Sequence, residues 1–388
     1  MRDAVIVEAV RTPVGKGKPT GALHQVHPTD LLAHSLRELV TRSGIDPASI
    51  DDVIGGVVTQ AGEQSVNITR RAALAAGYPE SVAATTVDRQ CGSSQQAIHF
   101  AAQGVIAGAY DVAVAAGVES MSRVPMGASV LGADLDGTGL TERYPQPLVS
   151  QGISAELITA RWGLSRTQVD EYAAASHDKA TRATKEGAFE AQLTPIAGLT
   201  SDEGIRPETT VETLAALRPA FHSAKAAARF PEIGWNVTAA NASQISDGSA
   251  AVLITTSEKA AELGLRPLAR VHSFSVCGDD PLLMLTAIIP ATRKVLDRAG
   301  LRISDIGLFE VNEALAAVVL AWMQDVRADP TRVNVNGGAI ALGHPLGASG
   351  ARLATTLVHA LHERNARYGL QTMCEAGGLA NATIYERL

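Results

Sequence analysis

The sequence has few cysteines and no long apolar run, which excludes several classes of protein. Its 388 residues include only three cysteines, Cys91, Cys277 and Cys374, an odd number that excludes a paired disulfide framework and favours a reducing compartment. No apolar run approaches the roughly 18 residues that span a bilayer, so no membrane segment is predicted. Hydrophobic residues make up 46% and charged residues 19%, which is typical of a globular protein with a large core.

Positive charge is also scarce, which limits the partners we expect. Lys and Arg number 33 against 40 Asp and Glu, and this balance disfavours a protein that coats nucleic acid or an anionic membrane. No His or Cys cluster has the spacing of a metal site, and no G-x-S-x-G nucleophile turn occurs. We therefore expect a soluble, cytoplasmic protein with no metal, no nucleic-acid partner and no membrane partner.

An internal repeat indicates the fold class. Residues Leu39–Gly56 and Val295–Asn312 match without a gap, 256 positions apart. Each copy predicts a helix that ends at a glycine, a short turn and an apolar strand. The same offset aligns the segment that starts at Cys91 with the one that starts at Gly347. The sequence therefore predicts two α/β halves of similar topology.

Between the halves the pattern changes, and the sequence predicts helices over 154–162 and 166–185 joined by polar loops. We expect an N-terminal half of residues 1–118 and 245–265, an inserted loop domain at 119–244 and a C-terminal half at 266–388. The inserted domain suits a substrate cover or an oligomerisation arm, and these two roles can coexist.

Two segments carry residues that suit nucleophilic chemistry. Cys91 lies at a predicted strand-to-helix transition, where backbone N–H groups and the helix dipole are expected to lower a thiol pKa. The alternative is a small buried apolar side chain. Residues 337–350 contain five glycines, which let the backbone approach a ligand closely and hold the imidazole of His344 rigidly. A purely structural histidine is the alternative.

Two further segments follow predicted strands. Cys374 ends a strand before a glycine-rich turn, where a thiol suits either acid–base chemistry or packing. Asn312 and Glu313 lie at the carboxyl end of a strand, the edge where α/β sheets place their sites, although a helix cap would also explain them.

Taken together, these segments resemble the thiolase family. The resemblance rests on the Cys91 segment, the NEA triplet that begins at Asn312, the His344 loop and the late Cys374 with its two glycines, in this order and spacing. It implies a fold of two repeated five-layer α/β halves with an inserted loop domain. It also implies an acyltransferase that interconverts 3-ketoacyl-CoA plus CoA with acetyl-CoA plus a shorter acyl-CoA.

The resemblance assigns the catalytic roles by motif match. Cys91 would be the nucleophile that carries the acyl group, and His344 would activate Cys91 and help polarise the thioester oxygen. Cys374 would move the proton to and from the acetyl carbon, and Asn312 would hold a water in the oxyanion site. The backbone N–H groups of Cys91 and Ala376 would form a second oxyanion hole.

The resemblance also predicts the ligand contacts. Coenzyme A would be a substrate, with no permanently bound cofactor, and Arg206, Thr213 and Ser243 would contact it. Leu315 replaces the usual phenylalanine and Gln151 the usual methionine, so both are expected to shape the acyl pocket. A homodimer or homotetramer is the expected assembly.

Three functions remain open at this point. The first is a degradative 3-ketoacyl-CoA thiolase of fatty-acid or sterol breakdown, and the second is a biosynthetic acetyl-CoA acetyltransferase with the same residues. The third, a non-catalytic acyl-CoA-binding protein, is disfavoured because a binder needs neither a second cysteine nor the histidine.

Overall fold

The computed structural model describes residues 2–388, which form ten strands and thirteen α-helices. The strands are β1 (Val5–Arg11), β2 (Gly15–Lys16), β3 (Asp52–Gly56), β4 (Ala83–Val87), β5 (Val112–Ser120), β6 (Ser246–Thr255), β7 (Ala269–Gly278), β8 (Leu308–Val311), β9 (Tyr368–Glu375) and β10 (Leu379–Arg387). The helices are α1 (Pro28–Ser43), α2 (Ile68–Ala75), α3 (Ser93–Ala107), α4 (Gly137–Arg143), α5 (Gln151–Trp162), α6 (Arg166–Lys185), α7 (Val211–Ala215), α8 (Ala224–Arg229), α9 (Ser257–Glu262), α10 (Ile288–Ala299), α11 (Ala316–Val326), α12 (Ala339–Leu342) and α13 (Ser349–Glu363).

The internal repeat is present in the fold. Helices α3 and α13 begin and end at positions that differ by the offset of the repeat, and strands β3 and β8 do so within one residue. Helices α1 and α10 both end at a glycine with left-handed backbone, Gly44 at φ 71° and Gly300 at φ 64°. The predicted helix–turn–strand units are thereby confirmed, because local spacing and helix-ending glycines define them.

All ten strands belong to one mixed sheet with a narrow seam at its centre. The strand order is β4-β3-β5-β6-β1-β7-β10-β9-β8, with β2 paired to β6. Strands β1 and β7 meet through only two residue pairs, Val5 with Arg270 and Ile6 with Ala269. The sheet thus divides into the strands β1 to β6 and the strands β7 to β10, one set from each half of the repeat.

Helices and sheet alternate in five layers. Helices α1 and α2 cover the outer face of the first half, α10 and α11 cover that of the second, and α3 packs on α13 between the two sets of strands. The sequence predicted five layers in each half. The structure has five layers in the whole molecule, and the two halves share the middle one.

The middle layer brings the starts of two helices together. A Cβ atom on Gly350 would lie 2.1 Å from the backbone nitrogen of Gln95, so only glycine permits this approach. The amide of Ala351 donates to Ser94 Oγ at 2.8 Å across the same contact. The turns that precede α3 and α13 consequently lie side by side, and these turns carry Cys91 and His344.

Residues between β5 and β6 form helices α4 to α8. Helix α6 has the predicted bounds, and α5 begins at Gln151, three residues before the predicted start. Among the described residues, no helix combines the length and the hydropathy that a bilayer crossing requires.

Candidate active site

A tight turn places Cys91 at the start of α3, as the sequence predicted. Gln90 has a left-handed backbone with φ 47°, and its amide donates to Asp88 Oδ1 at 2.6 Å. The hydroxyl of Ser93 accepts from the amide of Arg89 at 2.9 Å and donates to the carbonyl of Gln90 at 2.6 Å. These bonds fix the turn, and they leave the Cys91 side chain only 6% exposed.

The expectation that the helix start lowers the Cys91 pKa is wrong. Burial raises the pKa of Cys91 to about 12, and the negative charge of Glu375 acts in the same direction. Desolvation of a thiolate outweighs the favourable helix dipole here. The predicted role of Cys91 as a nucleophile therefore requires a nearby proton acceptor or charge stabilisation.

His344 is held in one tautomer by its neighbours. Its Nδ1 lies 2.6 Å from Ser349 Oγ, and that hydroxyl donates to the carbonyl of Pro345 at 2.8 Å. Since the hydroxyl proton is used on Pro345, Nδ1 carries the hydrogen and donates to Ser349. Burial lowers the pKa of His344 to about 3, so the ring is neutral and Nε2 keeps a lone pair.

Asn312 and Cys374 complete the group. The side-chain nitrogen of Asn312 lies 3.3 Å from His344 Nε2. The backbone N–H of Asn312 donates to the carbonyl of Thr372 on β9 at 3.0 Å. Cys374 follows two residues later on β9, is 1% exposed and has its pKa raised by burial and by the charge of Cys91. The structure thus brings Asn312 against His344 and sets the two thiols within electrostatic reach of each other.

Glu313, which follows Asn312, anchors the start of the His344 loop. Its carboxylate accepts hydrogen bonds of 2.7 to 3.1 Å from Tyr172, Ser176, Asn334 and the amide of Ile340. This carboxylate therefore fixes the loop from the side of α6.

Glu119 anchors the other end of the same loop. The carboxylate accepts from the amides of Val58 and Thr59 at 3.0 Å, from Gln64 Nε2 at 2.8 Å and from the amide of Gly347 at 2.8 Å. Burial raises the pKa of Glu119, but all four partners are donors, so the geometry fits the carboxylate. The first half of the molecule thus holds the histidine loop of the second half.

Comparison with known proteins explains this arrangement. The family model of the thiolase N-terminal domain matches residues 4–258, and that of the thiolase C-terminal domain matches residues 265–387. The chain belongs to the thiolase family. It is accordingly an acyltransferase, as the sequence predicted.

Relatives match the thiolase over its whole length. It is 48% identical to a steroid 3-ketoacyl-CoA thiolase, FadA6, of Mycobacterium tuberculosis over 100% of this chain and 95% of that protein. It is 44% identical to a 3-ketoacyl-CoA thiolase of Aliivibrio fischeri over 100% of both. The crystal structure of the Bacillus anthracis acetyl-CoA acetyltransferase superposes with a TM-score of 0.89 at 38% identity, covering 100% of this chain and 99% of that one.

The glycines of the thiolase histidine loop face protein atoms. A Cβ on Gly343, which has φ 101°, would lie 2.4 Å from Ser246 Oγ, and that hydroxyl accepts from the amide of His344 at 3.1 Å. The glycine content of the loop is therefore explained by close packing of the loop itself, whereas the sequence had suggested approach to a ligand.

The predicted coenzyme A contacts fall in two places. Arg206 is exposed, and its guanidinium lies 3.4 Å from the side chain of Gln244, the neighbour of Ser243. The carbonyl of Gln244 accepts from the amide of His344 at 3.1 Å, so this strip adjoins the histidine loop. The Thr213 hydroxyl is bonded to Thr210 in the cap of α7. All three contacts stay predictions.

The predicted acyl-pocket residues lie at the starts of two helices that pack together. Leu315 precedes α11, is 3% exposed and pairs through its backbone with Ala242, while Gln151 begins α5 and is half-buried. Helix α5 packs against α11. Ala376, predicted to complete an oxyanion hole, is half-buried in the turn between β9 and β10. The roles of these residues stay predictions too.

Sequence reasoning assigned no role to several residues that shape the site. They are Glu119, Ser349 and Glu375, together with the anchoring function of Glu313. The available signal was an acidic residue near the end of a buried strand, since Glu119 is the second-last residue of β5 and Glu375 the last of β9, and both strands are buried throughout or nearly so. Carboxylates are rarely buried without a reason.

Proposed function

We propose that the chain cleaves a 3-ketoacyl-CoA with CoA to acetyl-CoA and a shortened acyl-CoA, through an acyl group on Cys91. The observations that support this proposal are a buried thiol at the start of α3, a second buried thiol within its electrostatic reach, and a neutral imidazole against the Asn312 amide in the adjoining histidine loop. The relatives named 3-ketoacyl-CoA thiolase support the same chemistry.

The proposed reaction has two steps, cleavage of the carbon–carbon bond and transfer of the acyl group to CoA. The Cys91 thiolate adds to the 3-keto carbon, the carbon–carbon bond breaks, and the enolate of acetyl-CoA receives its proton from the Cys374 thiol. The Cys374 thiolate then removes the proton of the incoming CoA thiol. CoA attacks the thioester on Cys91, and the Cys91 thiolate leaves.

The donors around the thiols suit the charges that develop. His344 activates Cys91 through Nε2 and, once protonated there, faces the thioester oxygen. Asn312 Oδ1 is buried, and no described protein group donates to it, so it can accept from a water in the oxyanion site. The backbone N–H groups of Cys91 and Ala376 are assigned to the oxyanion of the tetrahedral intermediate.

For the substrate, we favour degradation of a lipid or sterol side chain. The 48% identical relative is named for steroid 3-ketoacyl-CoA, and Leu315 is smaller than the phenylalanine that the family motif usually carries. Arg206, Thr213 and Ser243 would hold the CoA, and the loop domain at 119–244 would cover the acyl group. We assign a cytoplasmic homodimer or homotetramer.

A second candidate is the biosynthetic condensation of two acetyl-CoA molecules. The structural similarity to an acetyl-CoA acetyltransferase, with a TM-score of 0.89, favours it. Rates across a panel of 3-ketoacyl-CoAs from acetoacetyl-CoA to a steroid side chain separate the two candidates, because only a degradative enzyme prefers the longer substrates.

The test of the nucleophile is direct. Incubation with acyl-CoA followed by intact mass measurement should show one acyl adduct, which peptide mapping places on Cys91. The adduct should be absent from Cys91→Ser, and thiolysis should be lost. Retained activity in Cys91→Ala contradicts the mechanism.

A further inference from the structure

Glu375 occupies the position in the second half that Glu119 occupies in the first. The offset of the repeat relates Glu119 to Glu375 and also relates Cys91 to Gly347. Glu119 accepts a hydrogen bond from the amide of Gly347 at the start of α13. By the same geometry, Glu375 faces the start of α3. A Cβ on Gly92 would lie 1.8 Å from Glu375 Oε1, so the carboxyl group lies directly against the residue after Cys91.

The two carboxyl groups differ in their partners. Glu119 receives four hydrogen bonds, whereas no described residue forms a hydrogen bond of good geometry with either oxygen of Glu375, which the backbone amide of Asn381 approaches without completing one, although the residue is 0% exposed. A buried carboxylate without donors is costly, and a proton removes that cost. Glu375 is thus a buried acid that no structural contact explains.

The surroundings of Glu375 contain the two thiols of the site. Burial raises the pKa of Glu375 well above its ordinary value, and the negative charge of Asp88 adds to this, while the positive charge of Arg89 and the backbone amide of Asn381 oppose it. The charge of Glu375 in turn raises the pKa of Cys91 and of Cys374. The charges of Glu119 and Asp88 also act on Cys91, so a further negative charge in this buried site is strongly disfavoured.

His344 alone is a poor acceptor for the Cys91 proton. Burial lowers the pKa of His344 to about 3, so a proton on its ring creates a cation in a buried site. Transfer from Cys91 to the Glu375 carboxylate, by contrast, moves one negative charge from oxygen to sulfur and creates no new charge.

We propose that Cys91 and Glu375 hold a single negative charge between them, with the Glu375 carboxylate accepting the proton of Cys91 when the thiolate forms. The S–H bond of Cys91 breaks, an O–H bond forms on Glu375, and the charge passes to sulfur without release of a proton to solvent. The proton returns when Cys91 leaves the thioester. Glu375 is thereby a second acceptor beside His344. This proposal rests on the proposed function only in taking Cys91 as the nucleophile.

The test is the rate of Cys91 alkylation by iodoacetamide across pH, resolved by peptide mass spectrometry and measured without CoA substrates. In the wild type, proton sharing makes the logarithm of the rate flat between two inflections, because internal transfer does not depend on pH. In Glu375→Gln, the rate should rise tenfold per pH unit to a single midpoint. That midpoint should lie about one unit or more below the upper inflection of the wild type, since a like charge has been removed.

The matched control is Glu8→Gln, which removes a half-buried carboxyl on β1 whose pKa burial also raises. This variant should keep the wild-type profile. Two results overturn the proposal. One is a wild-type alkylation rate that rises with pH in a single step without a plateau, and the other is an alkylation midpoint in Glu375→Gln that equals the upper inflection of the wild type. If the acyl adduct on Cys91 fails to form, the proposed function fails, but the alkylation profile still reports whether the two acids share a proton.

Discussion

The ends of strands β5 and β9 show how one scaffold serves two purposes. Each strand carries a buried glutamate at its carboxyl end, Glu119 as the second-last residue of β5 and Glu375 as the last residue of β9. Glu119 is bound by four donors and holds the histidine loop, whereas Glu375 has no hydrogen-bond donor and lies beside Cys91. The repeat therefore duplicates the position of the carboxyl group, and the local partners decide whether that group stabilises the fold or serves chemistry.

The starts of α3 and α13 repeat this contrast. Ser93 and Ser349 are equivalent first residues of the two helices. The Ser93 hydroxyl is bonded within its own turn and fixes Cys91, while the Ser349 hydroxyl accepts from His344 and fixes the imidazole. Equivalent serines at the starts of two touching helices thus fix the turn of Cys91, the proposed nucleophile, in one half and the imidazole of His344 in the other.

The largest expected effect concerns Cys374, which precedes Glu375. The equivalent of Cys374 in the first half is Val118. Cys374→Ser should still accept an acyl group on Cys91, but exchange of the methyl protons of acetyl-CoA with deuterated water should fall about 10²- to 10⁴-fold, the usual contribution of a positioned acid–base group. NMR of the acetyl-CoA methyl group measures the exchange. Cys277→Ser, on β7, is the control and should exchange normally. Wild-type exchange in Cys374→Ser would assign the proton transfer to another group.

The next effect separates the two glutamates by stability. Each oxygen of the Glu119 carboxylate accepts two hydrogen bonds, and Glu119→Gln replaces one of these oxygens by an NH₂ group that cannot accept. We therefore expect a loss of about 3 kcal/mol in the free energy of unfolding. Glu375→Gln removes a carboxyl that has no donor to lose. Denaturation in urea at several pH values measures both.

The stability of Glu375→Gln relative to the wild type should change with pH in one direction. Because the pKa of Glu375 is raised in the folded state, its contribution to stability is present at low pH and is lost as pH rises above the unfolded value of about 4.3. Glu375→Gln should therefore match the wild type at low pH and gain on it towards neutral pH. A loss as large as that of Glu119→Gln would show that Glu375 has a structural partner after all.

Much of the fold could be predicted because its signals are local. The glycines at 44 and 300 and the apolar periodicity of the helices lie within single elements, so the repeat and the bounds of α6 followed from the sequence. The positions of Cys91, His344 and Cys374 relative to strands and helices were predicted for the same reason.

What could not be predicted depends on distant contacts. Glu119 and Gly347 are 228 residues apart, and no periodicity indicates that they meet. The direction of the Cys91 pKa shift was wrong because burial and the charge of Glu375 arise only when the two halves pack. The tautomer of His344 likewise depends on Ser349, whose role follows from the geometry of one turn.

The smallest expected effect concerns Leu315, whose equivalent in the first half is Thr59, a residue whose amide binds Glu119. In the second half the same position is buried before α11 and is proposed to line the acyl pocket. Each buried CH₂ contributes roughly 0.8 kcal/mol, so a pocket discriminates several-fold per methylene.

Leu315→Phe fills part of that pocket, and kcat/KM for medium or branched 3-ketoacyl-CoAs should fall several-fold or more, while that for acetoacetyl-CoA should change little because the shorter chain does not reach the added ring. Steady-state rates for both substrates on one preparation give the ratio, which cancels any loss of folded enzyme. Leu315→Met, which keeps the volume nearly constant, is the control and should leave the ratio unchanged. An equal fall for both substrates places Leu315 outside the acyl pocket, and a wild type that prefers acetoacetyl-CoA over every longer substrate favours the biosynthetic candidate.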